Sequence, residues 1–525
     1  VSIVVGAILL RVIGGVGFAN YDTLYALVWG QQLTRGETPQ YGIPVAPTPH
    51  PLVEALGVPL APLGPHAAEQ ITVALGFLAL SACGWAVYRL GALWFNRPAG
   101  ALAALILLTR VPILSYGVRA YVDLPYLLLV LCALVLETRR PRAGAPVLAL
   151  LALAGLLRPE AWVFSGLYWL YLLLPYARTR VRGRALARIW PVKDEHPSSK
   201  DEHPSKHQHQ SLRTPRELAW LALLAAAAPL VWVLSDWLVT GDPLWSLTNT
   251  RHTAETLHRE TGIGKVPEYI PRRIGEILGA AALGVAALGG VLSLLWLRAR
   301  TPAETGMRAE SERLPASAET GIAESERHPA SVGAAVGVTA VLVLAAFASV
   351  GLPIDTRYAF LAAAILCVFC GAAAFGWMAL PHGDPHRRWW MGAGAVALLA
   401  LAVSIPSQYH TDHHELNELA RQQRIQNELT ALVDDHAITT GCEPIGVSSH
   451  APLPLLALWL ETPPSEIANL QVQTISRGTY VDPANEEVRN DYILDRNDPH
   501  RPVAVPAGFA ATHTSRSWLI FQHCS

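Results

Sequence analysis

The sequence predicts a polytopic α-helical membrane protein that carries a small α/β domain outside the bilayer. Three observations predict it. The 525-residue chain is 51% hydrophobic and only 15% charged, with a mean hydropathy of +0.29, whereas a soluble chain carries about a quarter charged residues. Its apolar residues gather into runs near or above the length that crosses about 30 Å of hydrocarbon as helix. After about residue 408 the chain turns polar. Only helices and closed barrels satisfy the backbone in lipid, and the ten-residue alternation of an outer-membrane barrel is absent. No basic cluster with interleaved aromatics is present, so no nucleic-acid partner is expected.

Eleven spans are expected, near 1–19, 70–89, 98–115, 122–137, 145–157, 160–176, 217–239, 274–297, 332–350, 358–378 and 391–407. The fifth and sixth are short and meet at Arg158-Pro159-Glu160, as a broken or re-entrant pair would. No small-residue cleavage site follows the first run, which reads as a membrane anchor. Arginines cluster in alternate loops: Arg89 and Arg97, Arg139 to Arg142, Arg178 to Arg188, Arg298 and Arg300, Arg387 and Arg388. By the positive-inside rule these loops are cytoplasmic. The 20–69 loop, the 240–273 loop and everything after about 408 then lie outside. A multi-pass protein of the cell membrane follows, with a transmembrane domain over 1–407 and an extracytoplasmic domain over 408–525.

Two inner loops, near 190–212 and 301–331, look like disordered insertions. KDEHPS occurs at 193 and 200, AETG at 303 and 318, and AESER at 309 and 323. Such charged, Pro- and Ser-rich duplications bury no core. His196, His203, His207 and His209 fall in the first and read as solvated residues. In the outer domain, Asp412 to His436 reads as an amphipathic helix. Leu453 to Leu460 reads as a short helix, and Ile445–Val447 and Trp518–Phe521 as strands. About 115 residues suffice for a small independent domain. Cys83, Cys132, Cys367 and Cys370 lie in spans, where packing is their ordinary role. Cys442 and Cys524 stand alone outside, beside the first and last expected strands. A disulfide between them is permitted there and expected, two free thiols being the alternative.

The polar residues of the membrane half gather at the outer ends of spans. Asp22 follows the first. Arg119 and Asp123 flank the turn YGVRAYVDLP. Arg158 and Glu160 separate spans five and six, and Asp355, Arg357 and Tyr358 lie in GLPIDTRYAF. Charges at membrane depth are costly, and they are functional or paired. Local pairing of Arg119 with Asp123 and of Arg158 with Glu160 is the plainer reading of each. Together the four clusters describe a polar cavity opening outward, with carboxylates for acid–base work and arginines for an anion.

These residues resemble a family. The run D-x-x-Y…L-x-x-G-E-x-P-x-Y…P-x-P-H-P-L is similar to the first outer loop of the integral-membrane glycosyltransferases of the GT-C superfamily. Protein O-mannosyltransferases and lipid A aminoarabinose transferases are the branches it most resembles. Asp22, Tyr25, Leu33, Gly36, Glu37, Pro39, Tyr41, Pro47, Pro49, His50, Pro51 and Leu52 carry the match. Asp123 at the start of span four, GLLRPEA at 155–161 and Arg357-Tyr358 follow in order. The resemblance implies transfer of a sugar from a polyprenyl-phosphate donor to a glycan, lipid or protein acceptor on the outer face, with inversion. It places Asp22, with Asp123, in the catalytic role. It gives the donor phosphate to Arg357, Tyr358, Arg119 and Arg158, and a substrate loop to Tyr25, His50 and Glu54. Many relatives pair Asp with Glu where Asp22 is followed by Thr23, so no metal or other cofactor is inferred. A transporter is the first rival reading, but no internal repeat relates the two halves. A non-catalytic envelope scaffold or sensor is the second.

Overall fold

A computed structural model of the chain describes residues 1–189, 213–311, 329–493 and 504–524. The KDEHPS repeats and their four histidines lie outside the described residues, as does 312–328 of the second expected insertion. On either side of that gap, helix runs to Ser311 and begins again at Pro329.

The helices in chain order are α1 (Ser2–Gly14), α2 (Tyr21–Thr34), α3 (Pro51–Leu60), α4 (Pro65–Trp94), α5 (Arg97–Leu108), α6 (Val111–Val118), α7 (Asp123–Arg139), α8 (Ala145–Leu157), α9 (Glu160–Ile189), α10 (Pro215–Thr240), α11 (Trp245–Thr256), α12 (Val266–Ser311), α13 (Pro329–Ser349), α14 (Phe360–Phe375), α15 (Pro385–Asp434) and α16 (Leu453–Trp459). Among the described residues six helices are long and apolar enough to cross a membrane, and α5 with α6 makes a seventh if that pair is one span bent by 66°. This is the expected helical membrane architecture without eleven full-length spans. α1 and α8 have 13 residues each and α7 has 17. Exposed aromatics stand toward both ends of two of these apolar segments: Trp220 and Trp237 on α10, and Trp389 and Tyr409 on α15. Each pair is separated by about 25–30 Å at 1.5 Å per residue, the depth of the hydrocarbon with its aromatic belts.

Two of the crossings are broken. Pro112 has no N–H and crowds the carbonyl of Leu108, so α5 ends at Leu108 and the chain turns into α6. α12 is interrupted at Gly279, with φ 73° and ψ 161°, a region open to glycine alone. The breaks face each other. Arg110, at the first, donates from Nη1 to the carbonyl of Leu278 at the second, 2.8 Å away, and so satisfies a group that the interrupted ladder leaves open.

The 20–69 segment, expected as a loop, is mostly helical. Asn20 caps α2 and Pro51 starts α3. The two helices cross closely, since a Cβ on Gly30 would meet the Gly57 backbone at 2.6 Å. α15 is one helix of 50 residues that holds both the last span and the amphipathic helix expected at 412–436. The expected boundary at 407/408 therefore falls inside a continuous element. Polarity changes along it, but helical geometry is indifferent to that change, and a bond from Gln408 to Asp412 one turn on (2.7 Å) ties the junction.

The C-terminal sheet contains β1 (Ile445–Val447), β2 (Ile467–Asn469), β3 (Gly478–Pro483), β4 (Ala510–Thr514) and β5 (Trp518–His523). The strand order is β2-β1-β3-β5-β4, with β1 parallel to β2 and β3 and β5 antiparallel to β3 and β4. Cys442 and Cys524 are joined in a disulfide, their Cα atoms 5.4 Å apart. It ties the approach to β1 to the end of β5. The C-terminal domain shares its core with α2. Its core of Ile425, Leu429, Val447, Leu456 and Trp518 is continuous with Leu24, Tyr25 and Trp29 of α2.

Candidate active site

The site is assembled where α2, the 350–359 turn and the α8–α9 junction meet. Residues 16–20 are stitched to the α6–α7 turn, with Phe18 N–H donating to Val118 O (3.2 Å) and Asn20 N–H to Arg119 O (3.1 Å). On the other side, Gln423 of α15 accepts from Gly17 N–H at 3.1 Å and donates to Gly17 O at 3.0 Å. The Asn20 carboxamide oxygen accepts from the backbone N–H of Asp22 (2.8 Å) and Thr23 (3.2 Å). Its amide donates to Thr23 Oγ1 and to Arg119 O, both at 2.8 Å. Asp22 is thus held in the first turn of a capped helix, where a carboxylate is favoured by the helix dipole.

The turn after α13 brings Arg357 to it. Arg357 Nη1 lies 3.1 Å from Asp22 Oδ2, joining residues 335 apart in sequence, and Nε lies 3.6 Å from Asp355 Oδ2. Asp355 in turn holds Arg259 Nη1 at 3.0 Å. The result is a line of alternating charge, Arg259–Asp355–Arg357–Asp22.

A second cluster adjoins the first. Pro159 holds Arg158 in an extended conformation, φ −151° and ψ 134°, which separates α8 from α9. The buried Arg158 side chain pairs with Asp123 and with Glu160, at 2.7 Å. Arg158 therefore takes both carboxylates, whereas local pairing would have given it Glu160 alone. Arg119 does not pair with Asp123. It lies beside the contacting rings of Tyr116 and Tyr121, 5.3 and 5.0 Å from their centres, and donates to Ser115 Oγ at 2.8 Å. Tyr358 links the clusters, with the Arg158 guanidinium 4.4 Å and that of Arg357 5.7 Å from its ring centre. A small cavity walled by Phe164, Leu344 and Phe347 ends at Tyr126, Glu160 and Tyr358.

Of the substrate-loop residues, His50 faces this site. Burial pushes its imidazole down to about 4, and Arg158 and Arg357 act in the same direction against Asp22, so the ring is neutral at physiological pH. Glu54 turns away from it. Its carboxylate accepts from Tyr41 Oη at 2.5 Å and from the N–H of His50, the N-cap residue of α3, at 2.9 Å. Burial raises its carboxyl to about 7. Tyr25 is fully buried between Tyr21 and Trp29, in the core shared with the outer domain.

Sequence reasoning missed Asn20, Arg259, Gln423 and His450, whose ring meets Tyr21 edge-on at 5.5 Å. Asn20 carried a readable signal, an N-cap residue directly before a helical run. The others act across the fold and left none. Among the described residues no group of three or more His, Cys, Asp or Glu side chains converges as a metal site.

No family model matches the chain, and no curated protein matches it. Among solved structures, ArnT from Cupriavidus metallidurans bound to undecaprenyl phosphate is similar at 14% identity and a TM-score of 0.48, over 99% of this chain and 97% of that one. The apo oligosaccharyltransferase of Archaeoglobus fulgidus is similar at 13% identity and a TM-score of 0.38, over 89% of this chain and 64% of that one.

Proposed function

We propose that the chain is a membrane glycosyltransferase. It moves a sugar from a polyprenyl-phosphate donor to an acceptor hydroxyl at the outer face, with inversion, using Asp22 as general base and Arg357 to bind the donor phosphate. The observation that carries the reading is the Asp22–Arg357 pair itself. A carboxylate and a guanidinium from distant parts of the chain meet at 3.1 Å, partly exposed, at the outer ends of their helices. Both stand in the motifs that resemble the GT-C superfamily.

The chemistry fits these groups. The acceptor oxygen bonds to the anomeric carbon as the bond from that carbon to the phosphate oxygen breaks. The electron pair leaves with the polyprenyl phosphate, and the acceptor proton passes to a carboxylate. Of the three candidate carboxylates, Asp22 is the accessible one. Its side chain is 18% exposed and that of Asp123 is 1% exposed and held by Arg158, while Glu54 is buried under Tyr41. The leaving phosphate gains charge, which Arg357 stabilises with a planar fork that lysine does not copy. Arg158 and Tyr358 form the floor beneath it, and His50, neutral, serves as a hydrogen-bonding wall.

The test is turnover of a lipid-linked sugar by the purified chain, read as release of free polyprenyl phosphate. Asp22→Asn keeps the shape and removes the base, and lowers turnover at least about a hundredfold with the fold intact. Near-normal turnover by this variant moves the role to another group.

A further inference from the structure

We propose that Asp22 and the donor phosphate compete for Arg357, so that donor binding releases the base and precedes attack by the acceptor. This inference rests on the reading just given and adds the order in which its two groups act.

The geometry forces a choice. A phosphate gripped by a guanidinium takes two N–H groups in one plane. Both sides of the Arg357 fork are flanked by carboxylates: Nη1 by Asp22 at 3.1 Å and Nε by Asp355 at 3.6 Å. A phosphate brings further negative charge into the same few ångströms, and like charges at that range repel strongly in a partly buried site. One carboxylate must give way. Asp355 has a second cation, Arg259 at 3.0 Å. Among the described residues Arg357 is the one cation paired with Asp22. Asp22 is therefore the group that withdraws.

Its withdrawal needs little movement. The backbone of Asp22 is fixed by the Asn20 cap, so a change of side-chain rotamer is enough. Asp355 and Arg259 keep Arg357 in place while this happens. The freed carboxylate gains an oxygen able to take the acceptor proton. A base paired with Arg357 has one oxygen occupied and its orientation fixed by the pair, so an acceptor arriving before the donor meets a base held toward Arg357. The pair thus acts as a latch that the donor phosphate opens, and it predicts ordered addition with the donor first.

The latch taxes donor affinity, because only the open fraction binds phosphate. A pair closed about nine-tenths of the time weakens the apparent affinity about tenfold. Undecaprenyl phosphate titrated into the full-length chain in nanodiscs reads this directly. Asp22→Asn removes the competitor's charge and binds the lipid about tenfold tighter than the wild type, and Asp22→Ala changes affinity in the same direction. In an Arg357→Ala background, where there is no fork to compete for, Asp22→Asn yields no gain. Equal or weaker binding by Asp22→Asn, while the wild type binds and Arg357→Ala does not, overturns the latch and leaves the donor assignment standing. Tightening by Asp355→Asn but not by Asp22→Asn overturns it as well. Failure of the wild type to bind removes the donor reading and the latch with it.

Discussion

Asn20 satisfies two of the open amides of α2 and ties that helix to the carbonyl of Arg119. Its removal costs about 1 kcal/mol of stability. Because it also positions Asp22, Asn20→Ala lowers kcat by up to about a hundredfold, with polyprenyl-phosphate affinity kept or raised, because Arg357 is untouched and a loosened Asp22 competes for it less. Parallel loss of lipid affinity and kcat would instead show general disorder of the site. Glu54 makes a prediction in pH. Its carboxyl stands at about 7 against an ordinary 4.5 because of burial, so it favours the folded state below pH 4.5 and that contribution is lost as pH rises through 7. The shift corresponds to roughly 3 kcal/mol. A glutamine at this position reproduces the protonated acid, so the melting temperature of Glu54→Gln gains on that of the wild type from about pH 4.5 to about pH 7 and the difference levels off above about pH 8. A difference constant with pH contradicts this account. At this scale the meeting of Asp22, Arg357 and Tyr358 was legible as one polar cluster, because short motifs carried all three. The pairing of Asp123 with Arg158 was not, because it joins separate helices whose packing no local pattern encodes.

The elements were legible where hydrophobic runs were long and illegible where tertiary contact decides. Strands β2 and β4 have three and five residues, too few for alternation to show, and the fully exposed β4 is held by pairing with β5. The continuity of α15 was hidden by its change from apolar to polar at the membrane surface. The break at Gly279 gave no signal either, since glycine is ordinary in spans. It does give a sharp prediction. A Cβ at Gly279 meets no atom within 4 Å, so Gly279→Ala suffers only from its backbone conformation and destabilises the chain by about 1–3 kcal/mol. Gly275→Ala, four residues earlier, with open space and no positive φ, is neutral or mildly stabilising. Thermal unfolding of both variants in one detergent makes the comparison, and equal shifts contradict the break.

Across the whole molecule, the outer domain and the membrane half are joined through one core around Trp29, Leu429 and Trp518. The same helix, α15, both anchors that domain and clamps Gly17 just ahead of Asp22. This arrangement packs the C-terminal domain against the helix that carries Asp22. The sequence signalled the division into an apolar half and a polar C-terminal domain through its long hydrophobic runs and its polar end. It concealed that the 20–69 segment is structured, because α2 is buried on most sides and so shows no amphipathic face.

The central claim is that this chain holds a polyprenyl phosphate at Arg357. Native mass spectrometry of the purified protein, with undecaprenyl phosphate added to lipid-free samples, tests it most directly. The account predicts that the wild type retains the lipid, that Arg357→Ala loses it, and that Arg357→Lys recovers part of it, since charge returns without the two-pronged geometry. Equal retention by the wild type and Arg357→Ala would contradict it.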